Sequence, residues 1–201
     1  MKNAIIILAL MASSFANAQS YVGVGMSYNV LNGSIWQGQT DTSFDQQAMS
    51  EGMSASEKTN SKNTKDFGGR VFIGERIGDV AMEIGYTAHG TFKNNTTNQY
   101  GVGVSTYYAN SFDMSVLLHK NNFFARMGIH STKSEVNAHT WIGSRENISN
   151  LSVYSSGPLL GVGYQKGMFR AEYTKYFNVG LTDVVGKHSI DSFTLSVMKE
   201  F

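Results

Sequence analysis

Six charged side chains interrupt stretches of sequence that are otherwise apolar or built from small residues. Three are basic and three are acidic: Arg70, Arg126 and Arg170 against Glu83, Asp113 and Glu172. A charge that leaves water for an apolar environment is retained only when it is paired and hydrogen-bonded. We therefore expect these six residues to form an interior ion-pair network with a structural role.

The five histidines have no spacing that belongs to a known metal or catalytic motif. They are His89, His119, His130, His139 and His188. None belongs to a His-Glu-x-x-His motif, and the presence of Ser, His and Asp does not by itself make a catalytic triad. The sequence therefore predicts no metal ion, no cofactor and no catalytic residue. The alternative is a loose metal site formed by two of the histidines, His89 and His130, near one end of their strands.

The composition excludes several classes of protein. The 201 residues carry 16 Lys and Arg against 15 Asp and Glu, so no basic face for a nucleic acid is expected. No run of 18 apolar residues occurs, which argues against an ordinary membrane-spanning helix. The absence of Cys excludes disulfides and thiolate metal sites. The 21 Gly, 12 Phe and 10 Tyr, with a single Pro, favour strands and turns.

Residues 1–18 are predicted to be a secretory signal peptide. Lys2 provides the positive start, residues 4–12 are apolar, and Ala16 and Ala18 match the small-residue pattern of a cleavage site. The alternative is a buried amino-terminal helix. We expect the chain to be exported and residues 19–201 to form the folded protein.

The rest of the sequence alternates between apolar and small or polar residues. Such a period of two indicates strands with one apolar face. It recurs in eight segments: 21–30, 67–75, 80–88, 108–118, 123–131, 157–164, 169–177 and 192–201. Each segment is about nine to eleven residues long, the length with which a tilted strand crosses a bilayer.

The connections between these segments alternate in length. Long loops are predicted at about 32–66, 90–106, 132–150 and 179–189, and short turns at 76–79, 119–122 and 165–168. Closing the first short hairpin on Ile77 and Gly78 pairs Phe72 with Glu83. Long loops at one end and tight turns at the other are typical of an outer-membrane barrel. The predicted fold is therefore all-β, an eight-stranded antiparallel transmembrane β-barrel. A ten-stranded barrel and a soluble β-sandwich are the alternatives.

The last ten residues resemble the carboxy-terminal insertion signal that the barrel-assembly machinery reads in bacterial outer-membrane proteins. Phe193, Leu195 and Val197 alternate before the final Phe201, although Lys199 departs from the pattern. The chain as a whole resembles the small OmpA-like, OmpX/Ail and opacity-protein barrels, without a peptidoglycan-binding domain. That resemblance implies a bacterial outer-membrane protein with periplasmic termini, surface-exposed loops and contacts to lipopolysaccharide and membrane lipid.

The resemblance also implies a non-enzymatic role in adhesion, colonisation or binding of host surface or matrix components. Loops on a rigid scaffold commonly carry function, and exposed aromatic residues make ready contact sites. The candidate binding residues are therefore Trp36 and Phe44 in the first loop, and Trp141 and Ile142 in the third. One alternative is a small porin or an OmpW-like channel for hydrophobic solutes. The other is a lipid-modifying enzyme.

Overall fold

A computed structural model describes residues 18–32, 59–98, 101–142, 145–180 and 188–201. The predicted signal peptide up to residue 17 lies outside these ranges, as do Trp36 and Phe44 of the predicted first loop. In the described part of the chain, no helix is long and apolar enough to cross a membrane.

Nine strand segments make up nearly all of the described chain. They are β1 Gln19–Asn32, β2 Thr59–Asn63, β3 Lys65–Ile77, β4 Val80–Asn98, β5 Gly101–Lys120, β6 Phe123–Ile142, β7 Arg145–Lys166, β8 Phe169–Val179 and β9 His188–Glu200.

The strands close into a ring in which every pairing is antiparallel. β1 pairs with both β3 and β9, and β4 pairs with β5, so the sheet of neighbouring strands has no open ends. β2 and β3 both lie against β4, with β2 continuing the line of β3 beyond Thr64. The ring therefore contains eight strands. The predicted fold class is confirmed, and the ten-stranded alternative does not form.

Three two-residue turns join strands at one end of the ring, which we call the turn end. Gly78, Asn121 and Gly167 are the first residues of these turns and have φ values of 59°, 57° and 58°. Glycine adopts this left-handed conformation without a steric cost, and asparagine tolerates it. Residues Ala18 and Phe201 lie at the same end, since β1 starts and β9 finishes beside the turns.

The conformation of Asn121 provides a test of the turn geometry. Asn121→Val should lower the free energy of unfolding by about 1–2 kcal/mol, because a β-branched residue is strained at positive φ. Asn121→Gly should be at least as stable as the parent. Urea unfolding in detergent micelles measures both, with Lys120→Val as the control for adding an apolar side chain. Equal stability of the two valine variants would contradict the prediction.

All eight strands of the ring are longer than the sequence indicated, and four of them are about twice as long or more. β4 to β7 have 19, 20, 20 and 22 residues, whereas β1, β3, β8 and β9 have 14, 13, 11 and 13. Most of the segments 90–106 and 132–150, expected to be loops, are strands paired in hairpins. Apolar alternation did not indicate strands in these segments, because both of their faces are largely polar. We call residues 91–98, 101–110, 131–142 and 145–158 the projecting wall, and the end of the ring where they lie the hairpin end.

The ring is apolar on its outside. Large apolar side chains alternate outward along each strand, with Met26 70% exposed and Leu195 71% exposed. This apolar belt consists of Val22, Val24, Met26, Phe67, Val71, Ile73, Ile77, Val80, Met82, Ile84, Tyr86, Phe112, Met114, Leu118, Phe123, Met127, Ile129, Leu160, Val162, Tyr164, Phe169, Phe193, Leu195 and Val197. A two-layered sandwich would bury these positions, so the sandwich alternative is excluded.

Candidate functional site

The six charged residues singled out in the sequence lie together inside the ring. Each has a neighbour of opposite charge on both sides, in the closed order Arg70, Glu83, Arg170, Glu172, Arg126 and Asp113. We call this set the ion-pair ring. Its charges balance three against three, and all six side chains are buried.

Distances within the ion-pair ring are those of charge-assisted hydrogen bonds. Arg70 lies 2.8 Å from both Glu83 and Asp113, and Arg170 lies 2.6 Å from Glu83. Arg126 lies 2.5 Å from Asp113, and it also pairs with Glu172. Such bonds are about twice as strong as neutral ones, which offsets the cost of removing the charges from water.

Hydroxyl groups supply further hydrogen bonds to the ion-pair ring. Tyr176 and Thr87 each lie 3.0 Å from Nη1 of Arg70, and Arg126 donates through Nε to Ser115 at 2.9 Å. Sequence reasoning did not identify these residues. The alternation places them inside the ring, but a hydroxyl there does not by itself indicate a charged partner.

The ion-pair ring lies between two buried apolar clusters. The cluster toward the turn end contains Tyr21, Phe72, Ala81, Leu117, Phe124 and Met198. The guanidinium of Arg170 lies 4.8 Å from the ring centre of Phe72 and 4.4 Å from that of Phe124, which adds cation–π attraction. The cluster toward the hairpin end contains Leu31, Phe92, Tyr107, Ala109, Leu159, Tyr176, Val179 and Ile190.

Charge and apolar surface are therefore inverted relative to a water-soluble protein. The chain holds three guanidinium and three carboxylate groups at the centre and presents its apolar belt outward around a closed sheet. Because the sheet is closed, the backbone N–H and C=O groups of every strand within the belt can bond to a neighbouring strand. Hydrocarbon surroundings require this, since they offer no hydrogen-bond partners. The chain folds as an eight-stranded transmembrane β-barrel of the outer-membrane type.

Comparisons with known proteins found similarity among solved structures at low sequence identity. Neither a protein-family model nor a curated protein matches the sequence. Among solved structures, the neisserial surface protein A is 17% identical with a TM-score of 0.48, covering 90% of this chain and 97% of that one. The attachment invasion locus protein Ail of Yersinia pestis is 10% identical with a TM-score of 0.49, covering 92% and 99%. The amino-terminal barrel domain of Pseudomonas aeruginosa OprF is 11% identical with a TM-score of 0.33, covering 91% and 98%.

A hydrogen-bonded layer of histidines lies beside the ion-pair ring. His89 contacts Ser111 at 2.8 Å through Nε2 and Asn29 at 3.3 Å through Nδ1. This resembles the order of a Ser-His catalytic dyad with an orienting residue. All three side chains are fully buried, however, so a substrate has no access to the serine hydroxyl.

His130, another buried histidine, belongs to the same layer. Nδ1 of His130 lies 2.7 Å from the hydroxyl of Thr132, and its Nε2 lies 2.6 Å from the carbonyl oxygen of Phe177. These partners use both ring nitrogens. Among the described residues, no group of three His, Cys, Asp or Glu could hold a metal ion.

Of the predicted binding residues, Trp141 lies far along its strand from the ion-pair ring, and Trp36 and Phe44 lie outside the described residues. Trp141 lies near the end of β6, on the outward face of the projecting wall. Ile142 is the last residue of that strand, and its side chain lies outside the described part. The structure therefore brings the six interior residues together and places one described binding candidate at the tip of the wall.

Proposed function

We propose that this barrel is a non-enzymatic surface protein that binds a host or matrix component through its projecting wall. The observation that carries this proposal is the wall itself, four long strands that continue beyond the apolar belt. A rigid hairpin sheet positions side chains more firmly than a mobile loop does. In this proposal the termini and turns face the periplasm and the hairpin end lies outside the cell.

An exposed apolar patch near the tip of the wall supports a binding role. Val102, Trp141 and Ile148 lie on the outward face of three neighbouring strands and are 40%, 39% and 53% exposed. The indole of Trp141 stacks on His139 with ring centres 5.7 Å apart, and His139 lies 3.3 Å from Glu146. An aromatic anchor held by polar neighbours is a common core of protein interfaces.

A closed lumen is part of the proposal and favours it over the channel alternative. The ion-pair ring and the two apolar clusters fill successive levels of the interior with buried side chains. Small barrels of eight strands have interiors that side chains can fill. We expect purified protein in planar bilayers to give no steady single-channel conductance, and steady openings would favour the channel.

Two further partners are proposed from the outer surface. Membrane lipid and lipopolysaccharide would surround the apolar belt. The barrel-assembly machinery would read the outward side chains of β9, where Phe193, Leu195 and Val197 are exposed in alternation and Phe201 follows.

Trp141→Ala tests the binding proposal. Whole cells that display the parent barrel should bind members of a panel of host matrix components and host cells. Cells that display the variant should bind them at least tenfold more weakly, because a tryptophan that becomes buried on binding carries a large share of the interface energy. Tyr154→Ala is the matched control, since Tyr154 is an exposed aromatic of the same wall but lies nearer the belt, opposite Lys133. Undiminished binding by the Trp141 variant at equal surface amounts would refute this role for the tip.

A further inference from the structure

Four lysines lie at the edge of the apolar belt that faces the hairpin end. Each is the first charged outward residue beyond the belt on its strand: Lys65 on β3, Lys93 on β4, Lys133 on β6 and Lys175 on β8. Aromatic residues mark this edge. Phe67, two positions from Lys65 on the same face, is 66% exposed, and its ring centre lies 5.4 Å from that of Tyr28. Such aromatic girdles lie at the level of lipid headgroups.

Two of these lysines are neutralised by carboxylates. Lys133 pairs with Glu135, and Lys175 lies 3.4 Å from Asp191. Lys65 and Lys93 have no such partner, since no carboxylate of the described residues lies within 4.0 Å of either ammonium group. The neighbouring Asp66 directs its carboxylate to the backbone N–H of Thr91 at 2.5 Å.

Lys65 and Lys93 are close to each other. Lys93 is paired with Asn63, and the side-chain oxygen of Asn63 accepts a hydrogen bond from the backbone N–H of Lys65 at 3.2 Å. The two lysines are thus diagonal neighbours on adjoining strands, a relation that separates side-chain origins by roughly 7–8 Å in a regular sheet. Two long, exposed side chains at this spacing can direct their ammonium groups to one anion.

We propose that Lys65 and Lys93 form a binding site for a phosphate group carried by a glycolipid of the outer leaflet, such as lipopolysaccharide. Two unpaired cations of like charge side by side repel each other, and an anion between them removes that repulsion. The apolar belt below the lysines holds the acyl chains of the same lipid. This inference rests on the proposed orientation, which places the hairpin end in the outer leaflet.

The test measures binding of lipopolysaccharide to the purified barrel in nanodiscs. Lys65→Gln with Lys93→Gln should weaken binding about 25-fold, about fivefold for each lysine, which corresponds to the ~1 kcal/mol that a lysine gains near an anionic surface. The matched control is Lys133→Gln with Lys175→Gln, which removes the same charge from lysines already paired. The control should change affinity less than twofold.

Chemically altered ligands identify the group that is bound. Lipopolysaccharide without its lipid A phosphates should bind the parent protein weakly. Its affinity should equal that of intact lipopolysaccharide for the variant that carries Lys65→Gln and Lys93→Gln. The inference would be overturned if both double variants lost the same affinity for lipopolysaccharide. It would also be overturned if the parent protein bound the dephosphorylated and the intact glycolipid equally well. Displacement by millimolar inorganic phosphate would also overturn it, because the site would then not require a lipid.

A labelling experiment separates this inference from the proposed orientation. The chain has no cysteine, so Asn150→Cys introduces a unique thiol on the outward face of the wall, farther from the belt than Lys133. Reaction with a membrane-impermeant reagent on intact cells supports the orientation. If the thiol reacts and the lysine variants bind normally, the phosphate site alone is wrong. If the thiol does not react, the orientation fails and the phosphate site fails with it.

Discussion

Arg126→Met is expected to lower the free energy of unfolding by about 3–5 kcal/mol, since removing one partner of a buried ion pair leaves an uncompensated charge. Arg126 bonds Asp113 and Glu172 and lies 3.6 Å from Glu83, so its loss leaves three carboxylates facing two arginines. Methionine approximates the length of the side chain, which limits the cavity. Urea unfolding in detergent micelles, followed by circular dichroism, measures the loss.

Two control variants separate charge imbalance from general disruption of the lumen. Arg76→Met removes an arginine near the turn end, whose described hydrogen bond is to the carbonyl oxygen of Gly78. This variant should lower the free energy of unfolding by less than about 1 kcal/mol. Arg126→Met with Asp113→Asn restores the balance of charge and should recover part of the lost stability. A double variant less stable than Arg126→Met alone would contradict this account of the ion-pair ring.

Leu195→Arg is expected to destabilise the barrel in lipid by about 2–4 kcal/mol, the cost of an arginine on the lipid face near the middle of a bilayer. Leu195 lies halfway along the outward face of β9, between Phe193 and Val197. An equally exposed leucine on a water-soluble protein would tolerate the change at little cost. The substitution therefore measures what surrounds the apolar belt.

Ser156→Arg is the matched control for depth. Ser156 also points outward, but it lies on the projecting wall beyond the apolar belt, and arginine there should cost about 0–1 kcal/mol. Both variants are compared by unfolding from lipid vesicles. Equal costs at the two positions would mean that the belt does not contact hydrocarbon.

The alternation in the sequence was sufficient to predict the number of strands, and within the eight predicted segments it predicted the face of each side chain. A closed sheet has one inner face and one outer face. Because side chains alternate between the two faces, the apolar residues of each strand mark the outer face, and the residues between them point into the lumen. That is why Arg70, Glu83 and Glu172 could be placed together although they are far apart in sequence. The order of pairing around the ion-pair ring could not be predicted, because it depends on the tilt of the strands.

The hairpin register was predicted with a shift of two residues. Closing the first hairpin on Ile77 and Gly78 pairs Phe72 with Glu83, whereas the structure pairs Phe72 with Gly85. The turn begins one residue later because Gly78, which takes the left-handed φ, is its first residue. A shift of two keeps each side chain on its predicted face, so the error did not affect the predicted interior.

The projecting wall and the histidine layer were beyond sequence reasoning for different reasons. Within the wall, outward Lys93 and inward Asn94 are both polar, so strand and loop give the same pattern. In the histidine layer, His89 contacts Ser111 on the adjacent strand β5 and Asn29 on β1, two strands away, and the alternation does not indicate which inward side chains come within hydrogen-bond distance. Polar side chains at such positions reveal their partners only in three dimensions.

The pairing of the first strand with the last has a consequence for how the molecule is made. The backbone N–H of Phe201 donates to the carbonyl oxygen of Ser20 at 2.9 Å, so this contact lies at the seam where β9 closes the ring on β1. Before that contact forms, β1 and β9 each expose a row of unpaired backbone groups, which hydrocarbon cannot solvate. A chain in which β9 has not yet formed therefore has no stable place in a bilayer. The cell must shield β1 and the strands that follow it until β9 is available to close the ring.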